Sequence, residues 1–259
     1  MEFLERGYFR FPLEEAVLEW ARKSLPIAKK QMRKPEFSHW LECGGTWFVG
    51  VDVLPNDPSG NVDDSGPLPG AGYASACGIY GNLNLHRGQV SVIYPGYPRP
   101  RKGESDAGYR YRVKRDAAHV DGLRLMNGSG ERRLLERHAY ILGIPLTECD
   151  SDASPLVVWE GSHHIMRAAF RKALGDVPEA DWEEVDLAEI YRASRSEVFN
   201  VCERVELSSS PGEVCLLHRH SVHGIAPWVE GAKAPEEGRM VVYFRPEWNG
   251  PGDMWLTAP

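Results

Sequence analysis

The sequence has no long hydrophobic run and no ordered set of cysteines. No stretch reaches the roughly 18 consecutive apolar residues that a membrane-spanning helix requires, and the N-terminal Met-Glu-Phe-Leu-Glu-Arg lacks the features of a signal peptide. The five cysteines are odd in number and show no Cys-x-x-Cys spacing, which argues against a zinc ribbon or a disulfide scaffold. We therefore expect reduced thiols, no membrane partner and a cytoplasmic location.

Positive charge is also scarce. The chain has 30 Lys and Arg against 37 Asp and Glu, so its formal net charge is −7, whereas a general nucleic-acid-binding protein is basic. Its 259 residues, 42% hydrophobic and 26% charged, suit one globular domain with an ample core. We predict a single domain over residues 1–259 and no nucleic-acid partner.

Short β-rich segments separated by turn residues dominate the chain after its first third. The expected strands are residues 89–94, 139–142, 156–159, 214–217 and 240–244. They predict a mainly β sandwich or barrel with added helices. An apolar stripe predicts an N-terminal helix that begins at Pro12 and is interrupted or ended by Pro26. Residues 54–72 indicate a long loop, and residues 165–207 a helical insert.

The basic segment at residues 109–115, Tyr-Arg-Tyr-Arg-Val-Lys-Arg, allows two interpretations. It is typical of a solvated strand edge. Alternatively, it forms a basic rim that attracts an anionic substrate. The sequence leaves both interpretations open.

His119-Val-Asp121 carries the most chemical information. Residues i and i+2 of a β-strand point to one side, so an imidazole and a carboxylate can converge there on one metal. Two imidazoles and one carboxylate can hold one face of a ferrous ion and leave other positions open. The second imidazole must come from elsewhere, and His218, His220 and His223 are the candidates. On one regular strand, His218 and His220 would share a face opposite to His223.

Four blocks, in order, resemble the phytanoyl-CoA dioxygenase family of Fe(II)/2-oxoglutarate oxygenases. They are a His-x-Asp pair, an apolar strand ending in Gly-Ser-His, a strand followed by a distal His-Gly, and an arginine that begins a strand; they lie at residues 118–122, 155–164, 211–224 and 238–244. Together they cover roughly residues 85–246. Glu160 stands where the family turn has proline, and the spacing from His223 to Arg239 (239 − 223 = 16) exceeds the usual spacing in the family.

The resemblance implies a double-stranded β-helix, or jelly roll, with its core at residues 86–246. Residues 1–85 would then form helical and loop support. The family pattern selects His223 as the distal ligand, so that His119, Asp121 and His223 would bind Fe(II) and serve catalysis.

The resemblance also implies a co-substrate site for 2-oxoglutarate. Arg239 stands where the family places the arginine that pairs with the distal carboxylate, and a guanidinium suits that task because it donates two parallel hydrogen bonds. Gln89 is a candidate for the other end of 2-oxoglutarate, because residues 89–92 resemble a strand that supplies a glutamine in the related ectoine hydroxylases.

The implied function is O2-dependent hydroxylation of a small organic metabolite, with release of succinate and CO2. The alternative is a cupin-like metal-binding jelly roll, an isomerase or a non-catalytic binder of small molecules, that does not turn over 2-oxoglutarate. A plain β-sandwich interaction module would leave the histidines unconverged. Arg239 separates the first two, because only the oxygenase needs a cation one co-substrate length from the metal.

Overall fold

The computed structural model describes residues 2–126 and 129–259 and is built on two antiparallel sheets. Sheet A has the strand order β1-β10-β7-β12-β4-β3-β2, sheet B has the order β11-β8-β9, and β5 pairs with β6 in a separate hairpin. The strands are Tyr8–Phe11 (β1), Leu41–Glu42 (β2), Trp47–Phe48 (β3), Gln89–Ile93 (β4), Leu123–Leu125 (β5), Arg132–Leu134 (β6), Tyr140–Pro145 (β7), Leu156–Trp159 (β8), Arg204–Leu207 (β9), Val214–His218 (β10), His223–Ile225 (β11) and Arg239–Phe244 (β12).

The strand order is that of a jelly roll. Sheet A places β4, β12, β7 and β10 side by side. Sheet B is extended by His119, which exchanges two backbone hydrogen bonds with His223 of β11. From β4 onward, these eight segments alternate between the sheets, and only β8 and β9 are consecutive within one sheet. This arrangement is two interleaved Greek keys. The predicted fold, a jelly roll with added helices, is confirmed.

Alternation along the strands decides which side chains enter the barrel. In β12, Met240, Val242 and Phe244 are buried against the outer helices, and the Phe244 ring packs edge-on against Trp20 at 6.1 Å. Arg239, Val241 and Tyr243 therefore share the opposite face, which points into the barrel. A separate apolar cluster fills that interior; its buried members are Tyr8, Ile141, Leu156, Val158, Leu207, Cys215 and Leu217.

Helices cover the outer faces of both sheets. They are Glu2–Arg6 (α1), Glu15–Met32 (α2), Ala71–Tyr80 (α3), Asp106–Lys114 (α4), Ser162–Leu174 (α5), Ala188–Val201 (α6) and Gly252–Thr257 (α7), with short 3-10 helices at Pro35–Trp40, Cys43–Gly45 and Glu179–Glu184. Helices α2 and α3 pack on sheet A, whereas α5, α6 and α7 pack on sheet B. None of the helices in the described residues is both long and apolar enough to cross a membrane.

The N-terminal helix differs from the prediction at Pro26. Helix α2 begins at Glu15 rather than Pro12 and continues through Pro26 to Met32. An internal proline costs about 3 kcal/mol because it removes one hydrogen bond and crowds the preceding turn. Buried residues on both sides of Pro26, among them Trp20 and Ala28, pack against sheet A. Tertiary packing therefore outweighs the local penalty.

Two further segments differ from the sequence-based expectations. Residues 109–115 lie mostly in helix α4 rather than at a strand edge, because the Ser105 hydroxyl caps this helix by accepting from the backbone N–H of Gly108 at 3.1 Å. The helical insert begins earlier and ends earlier than residues 165–207. Helix α5 begins at Ser162, and residues from Arg204 onward form β9 of sheet B. All five predicted strands are present as β4, β7, β8, β10 and β12.

Candidate metal centre

The two halves of the metal-binding pattern meet where residues 119–121 run beside β11. His119 Nε2 lies 3.2 Å from Asp121 Oδ1, and His223 Nε2 lies 3.8 Å from the same oxygen. One ligand atom from each of the three residues lies within 4.8 Å of the other two. The paired backbones of His119 and His223 fix this approach, with N–H to carbonyl distances of 2.8 and 3.0 Å.

The donor atoms fit a divalent first-row metal. The Nδ1 atoms of His119 and His223 lie 3.0 and 2.9 Å from the carbonyl oxygens of Ala117 and Ser221. A carbonyl only accepts, so each Nδ1 carries the proton and each Nε2 keeps a free lone pair toward Asp121. Ligand bonds of about 2.1 Å place adjacent ligand atoms roughly 3 Å apart, close to the 3.2 Å between His119 Nε2 and Asp121 Oδ1 and less than the 3.8 Å between His223 Nε2 and that oxygen. Two imidazole nitrogens and one carboxylate oxygen form the facial set typical of ferrous sites.

Two glycines allow the metal-binding segments to approach their neighbours. A Cβ on Gly224 would lie 2.1 Å from the carbonyl oxygen of Asp116, which accepts the Ile225 N–H. A Cβ on Gly122 would lie 2.0 Å from the carbonyl oxygen of Glu136, and Gly122 has a φ of +85°. Both positions therefore require glycine, because any side chain would push residues 116–122 away from their neighbours.

Electrostatics prepare the ligands for a cation. Burial opposes ionisation of Asp121, but the positive charge of the Arg245 guanidinium favours it, and the pKa of this carboxyl lies well below the ordinary value. Arg245 Nη1 lies 3.4 Å from Asp121 Oδ2. Burial lowers the pKa of His223 to about 4, so its imidazole is neutral near pH 7. At neutral pH a metal would compete with almost no proton at His223.

His218 and His220 lie outside the metal-binding group. Strand β10 ends at His218, and a turn follows, so the regular alternation expected from the sequence stops before His223 begins β11. His220 packs edge-on against Trp255, with ring centroids 4.4 Å apart. Burial holds the pKa values of His218 and His220 well below the usual range. The structure thus brings His223, and neither of the other two, to His119 and Asp121.

An inner cavity of about 170 Å³ extends from these ligands into the barrel. Its walls are the triad together with residues from six strands (β3, β4, β7, β8, β11 and β12) and from the segments that follow β3 and β12: Trp47, Val49, Val51, Gln89, Ser91, Ile141, Leu156, Gly224, Ile225, Tyr243 and Arg245. Gln89, the candidate from the sequence, therefore lies in the same cavity as the triad. Its side-chain Nε2 donates to the carbonyl of Val49 at 2.9 Å.

Arg239 does not line the inner cavity. It lines a separate cavity of about 310 Å³ with Cys149, Asp150 and Glu213. Arg239 and Tyr243 nevertheless share one face of β12, and Tyr243 does line the inner cavity. Arg239 Nη1 is buried and has no hydrogen-bond partner among the described residues. Its role toward 2-oxoglutarate stays a prediction.

Sequence reasoning missed three groups at this site. Arg245 contacts Asp121, and alternation along β12 could have revealed it, because Arg245 lies on the face of Arg239 and Tyr243. Tyr243 could have been found in the same way. Trp47 and its neighbours line the cavity from the N-terminal region, where two-residue strands leave no periodic signal.

The known proteins that this chain resembles are only distantly similar to it. No family model matches the sequence, and no curated protein matches it. Similar solved structures include the non-heme α-ketoglutarate-dependent carbocyclase SnoK from nogalamycin biosynthesis, with 16% identity, a TM-score of 0.49 and coverage of 94% of this chain and 81% of SnoK. AviO1 from Streptomyces viridochromogenes Tue57 has 14% identity, a TM-score of 0.48 and coverage of 100% and 95%.

The iron-bound EctD from S. alaskensis is similarly remote, with 12% identity, a TM-score of 0.44 and coverage of 95% of this chain and 74% of EctD. Likenesses at this level assign no activity to the chain. Membership of the phytanoyl-CoA dioxygenase family, suggested by the sequence motifs, therefore stays a prediction. The side chains of the site are the stronger guide to its chemistry.

Proposed function

We propose that the protein is an Fe(II)- and 2-oxoglutarate-dependent oxygenase that hydroxylates a small organic molecule. The observation that carries this proposal is the convergence of His119 Nε2, Asp121 Oδ1 and His223 Nε2 at the wall of an internal cavity. This facial ligand set leaves coordination positions for other groups. The cavity provides space beside the metal for 2-oxoglutarate and O2.

A ferrous ion bound there would supply the redox chemistry by which O2 converts 2-oxoglutarate to succinate and CO2 and delivers its second oxygen atom to a substrate C–H bond. The protein supplies position and shielding. Val49, Ile141, Leu156 and Ile225 form the apolar part of the walls, which limits the access of water from inside the barrel. The volume of about 170 Å³ is below the roughly 300–1,000 Å³ of drug-sized ligand sites. It suits a five-carbon diacid, with the larger substrate placed outside.

Tyr243 and Arg239 are our candidates for binding the distal carboxylate of 2-oxoglutarate. Burial raises the pKa of Tyr243, so its hydroxyl stays protonated and can donate to a carboxylate from the cavity wall. Arg239 adds a positive charge behind that hydroxyl, and its buried Nη1 is available for a ligand. Gln89 remains the candidate for the metal-proximal end, because its amide lines the same cavity.

A cupin-like metal protein that does not turn over 2-oxoglutarate is the second candidate. The position of Arg239 favours it, because Arg239 lines another cavity. The one guanidinium in the inner cavity wall, among the described residues, is that of Arg245, which already contacts Asp121. In either case we propose a small molecule as the substrate or ligand and the cytoplasm as the location.

Anaerobic titration tests the oxygenase directly. Adding 2-oxoglutarate to the Fe(II)-loaded protein should produce the charge-transfer band of a chelated keto acid, and admitting O2 with ascorbate should release succinate. Asp121→Ala should lose both signals, whereas His220→Ala, which alters a histidine outside the metal group, should keep both. The absence of band and succinate from a parent protein that binds iron would favour the cupin-like alternative.

A further inference from the structure

A second, larger cavity lies directly outside the metal centre. It measures about 370 Å³ and shares Trp47 and His119 with the inner cavity. Helix α6 of the insert contributes Tyr191 and Arg195 to its wall, and helix α4 contributes Tyr111 and Arg112. A molecule held in this outer cavity would therefore contact the same histidine that faces the metal site.

The outer cavity concentrates positive charge. Five arginines line it: Arg101, Arg112, Arg115, Arg132 and Arg195. Arg112 is neutralised by Glu104, whose carboxylate lies 2.7 Å away. Within the described residues, the guanidinium groups of the other four have no carboxylate within 4.0 Å. Such a cluster is unexpected in a chain with a net charge of −7, because unpaired like charges repel one another when no counter-ion lies between them.

Aromatic rings hold these arginines in place. The guanidinium carbon of Arg195 lies 5.2 Å from the centre of the Tyr191 ring and 5.7 Å from the centre of the Phe199 ring. That of Arg132 also lies over the Tyr191 ring, 5.1 Å from its centre. Arg115 lies over Phe199 at 4.4 Å. Rings that support a guanidinium restrict its motion and leave its N–H groups free to bind an anion. The arginines are thus organised before any ligand arrives.

The floor of the outer cavity is the backbone that carries the metal ligands. Arg195 Nη1 donates to the carbonyl of Ala118 at 3.1 Å, and the Val120 N–H donates to the Tyr191 hydroxyl at 3.3 Å. Helix α6 is therefore tied to the residues on both sides of His119. An anion bound at Arg195 and Arg132 would lie against this segment, with the rest of the molecule free to extend toward the metal.

We propose that the outer cavity binds the anionic end of the substrate, which carries at least two negative charges on phosphate or carboxylate groups. Guanidinium forks bind both groups through paired, charge-assisted hydrogen bonds. The inference rests on the proposed function only in naming the anion a substrate, since the anion site can be measured without turnover. The volume and the aromatic walls favour a small organic anion over a macromolecule.

Calorimetric titration of the metal-free protein with inorganic pyrophosphate and, separately, with citrate at constant ionic strength tests the site. Both phosphate and carboxylate probes are included because the arginines accept either, and the tighter probe identifies the substrate's group. Arg132→Gln removes a guanidinium that makes no side-chain hydrogen bond among the described residues, so folding should survive. We expect affinity for the tighter probe to fall about 10- to 100-fold, the effect of losing a charge-assisted hydrogen bond.

Arg192→Gln is the control, because it makes the same change of charge at an exposed arginine of helix α6 that lies outside the cavity. It should change affinity less than about twofold, as expected for a distant, screened charge. Equal losses in both variants, no binding of either probe, or tighter binding of heparin than of pyrophosphate would overturn the proposal. Succinate release without anion binding would refute the anion site and support the oxygenase. Anion binding without succinate release would support the anion site and refute the oxygenase.

Discussion

The inner and outer cavities meet at His119, yet they differ in size and charge. The inner cavity, about 170 Å³, contains Asp121 and Arg245, 3.4 Å apart, and their charges cancel. The outer cavity, about 370 Å³, contains five arginines, and among the described residues only the guanidinium of Arg112 pairs with a carboxylate. A neutral inner cavity can receive a divalent cation and a dianion with no net gain of charge. The outer cavity stays positive until an anion enters it.

This difference allows the co-substrate and the larger anion to bind at separate places, which a single open cleft would not ensure. A diacid attracted only by charge would bind at the outer arginines as readily as at the metal. The small inner volume and the donor set of the triad favour a chelating co-substrate instead, whereas the outer arginines favour a larger anion. Changes in one cavity should therefore leave the ligand of the other largely unaffected, and single substitutions can test that independence.

The largest effect should come from His223→Ala. It removes one of three ligands, and because loss of even an outer hydrogen-bond partner commonly lowers metal affinity about 10- to 100-fold, we expect specific Fe(II) binding to be lost. His220→Ala should leave affinity nearly unchanged, because His220 packs against Trp255 outside the metal group. Anaerobic Fe(II) titration measures both variants. Iron bound through His220 in the parent protein would refute the assignment.

Gly224→Ala should disrupt the metal centre through the backbone. The new Cβ would meet the carbonyl oxygen of Asp116 at 2.1 Å, so residues 116–119 must move away from β11. Such overpacking costs about 2–3 kcal/mol, and weaker metal binding should accompany the loss of stability. Gly78→Ala is the control, since a Cβ there meets nothing within 4 Å and the helix α3 favours alanine. Urea unfolding and Fe(II) titration compare the two variants.

The surroundings of Gly224 also show what sequence reasoning can and cannot provide. His119 and Asp121 were identifiable because their spacing matches the period of a strand, and the five predicted strands were apolar enough to recognise. The contact of Gly224 with Asp116 joins segments far apart in the chain, so no local pattern reveals it. His223 needed the family pattern, because a turn after His218 breaks the alternation that would have ranked the histidines.

The outer cavity could not be predicted from the sequence for a similar reason. Its arginines come from residues 101–115, from Arg132 and from helix α6, and only tertiary packing brings them together. The alternative of a basic rim at residues 109–115 pointed in that direction, whereas the competing interpretation, a solvated strand edge, did not. Helix α4 instead turns Arg112 toward Glu104 and leaves Arg115 beside Phe199. A strand assignment would have placed these two arginines on opposite faces.

Arg239→Lys tests whether Arg239 acts on a ligand of the inner cavity although it lines a different one. Lysine keeps the charge and loses the two-pronged donor, so 2-oxoglutarate affinity should fall by one to two decades, about 1.5–3 kcal/mol, if Arg239 binds the distal carboxylate. Iron affinity and pyrophosphate binding should not change. The charge-transfer band measures the first quantity in Fe(II) protein. Unaltered 2-oxoglutarate affinity, with a loss in Arg245→Lys instead, would transfer the role to the arginine beside Asp121.

The smallest effect expected from a single substitution concerns acid stability, which depends on the buried histidines. Burial lowers the pKa values of His86, His163 and His223 to about 4 and holds those of His218 and His220 well below the usual range. The unfolded chain takes up protons at about pH 6.5 and the native chain does not. Stability is therefore complete above that pH and falls as the pH drops toward 4, with each histidine contributing about 1.4 kcal/mol per pH unit.

His220→Phe removes one of these groups. The free energy of unfolding, obtained from urea titrations of the metal-free protein, should therefore depend less steeply on pH, by about 1.4 kcal/mol per pH unit between about pH 6 and 5. The slope is the relevant measurement, because the larger ring also changes stability at every pH. Arg132→Gln, in the outer cavity, should leave the slope unchanged, since arginine stays charged throughout this range. An unchanged slope in His220→Phe would show that His220 gains its proton as easily in the folded protein as in the unfolded chain.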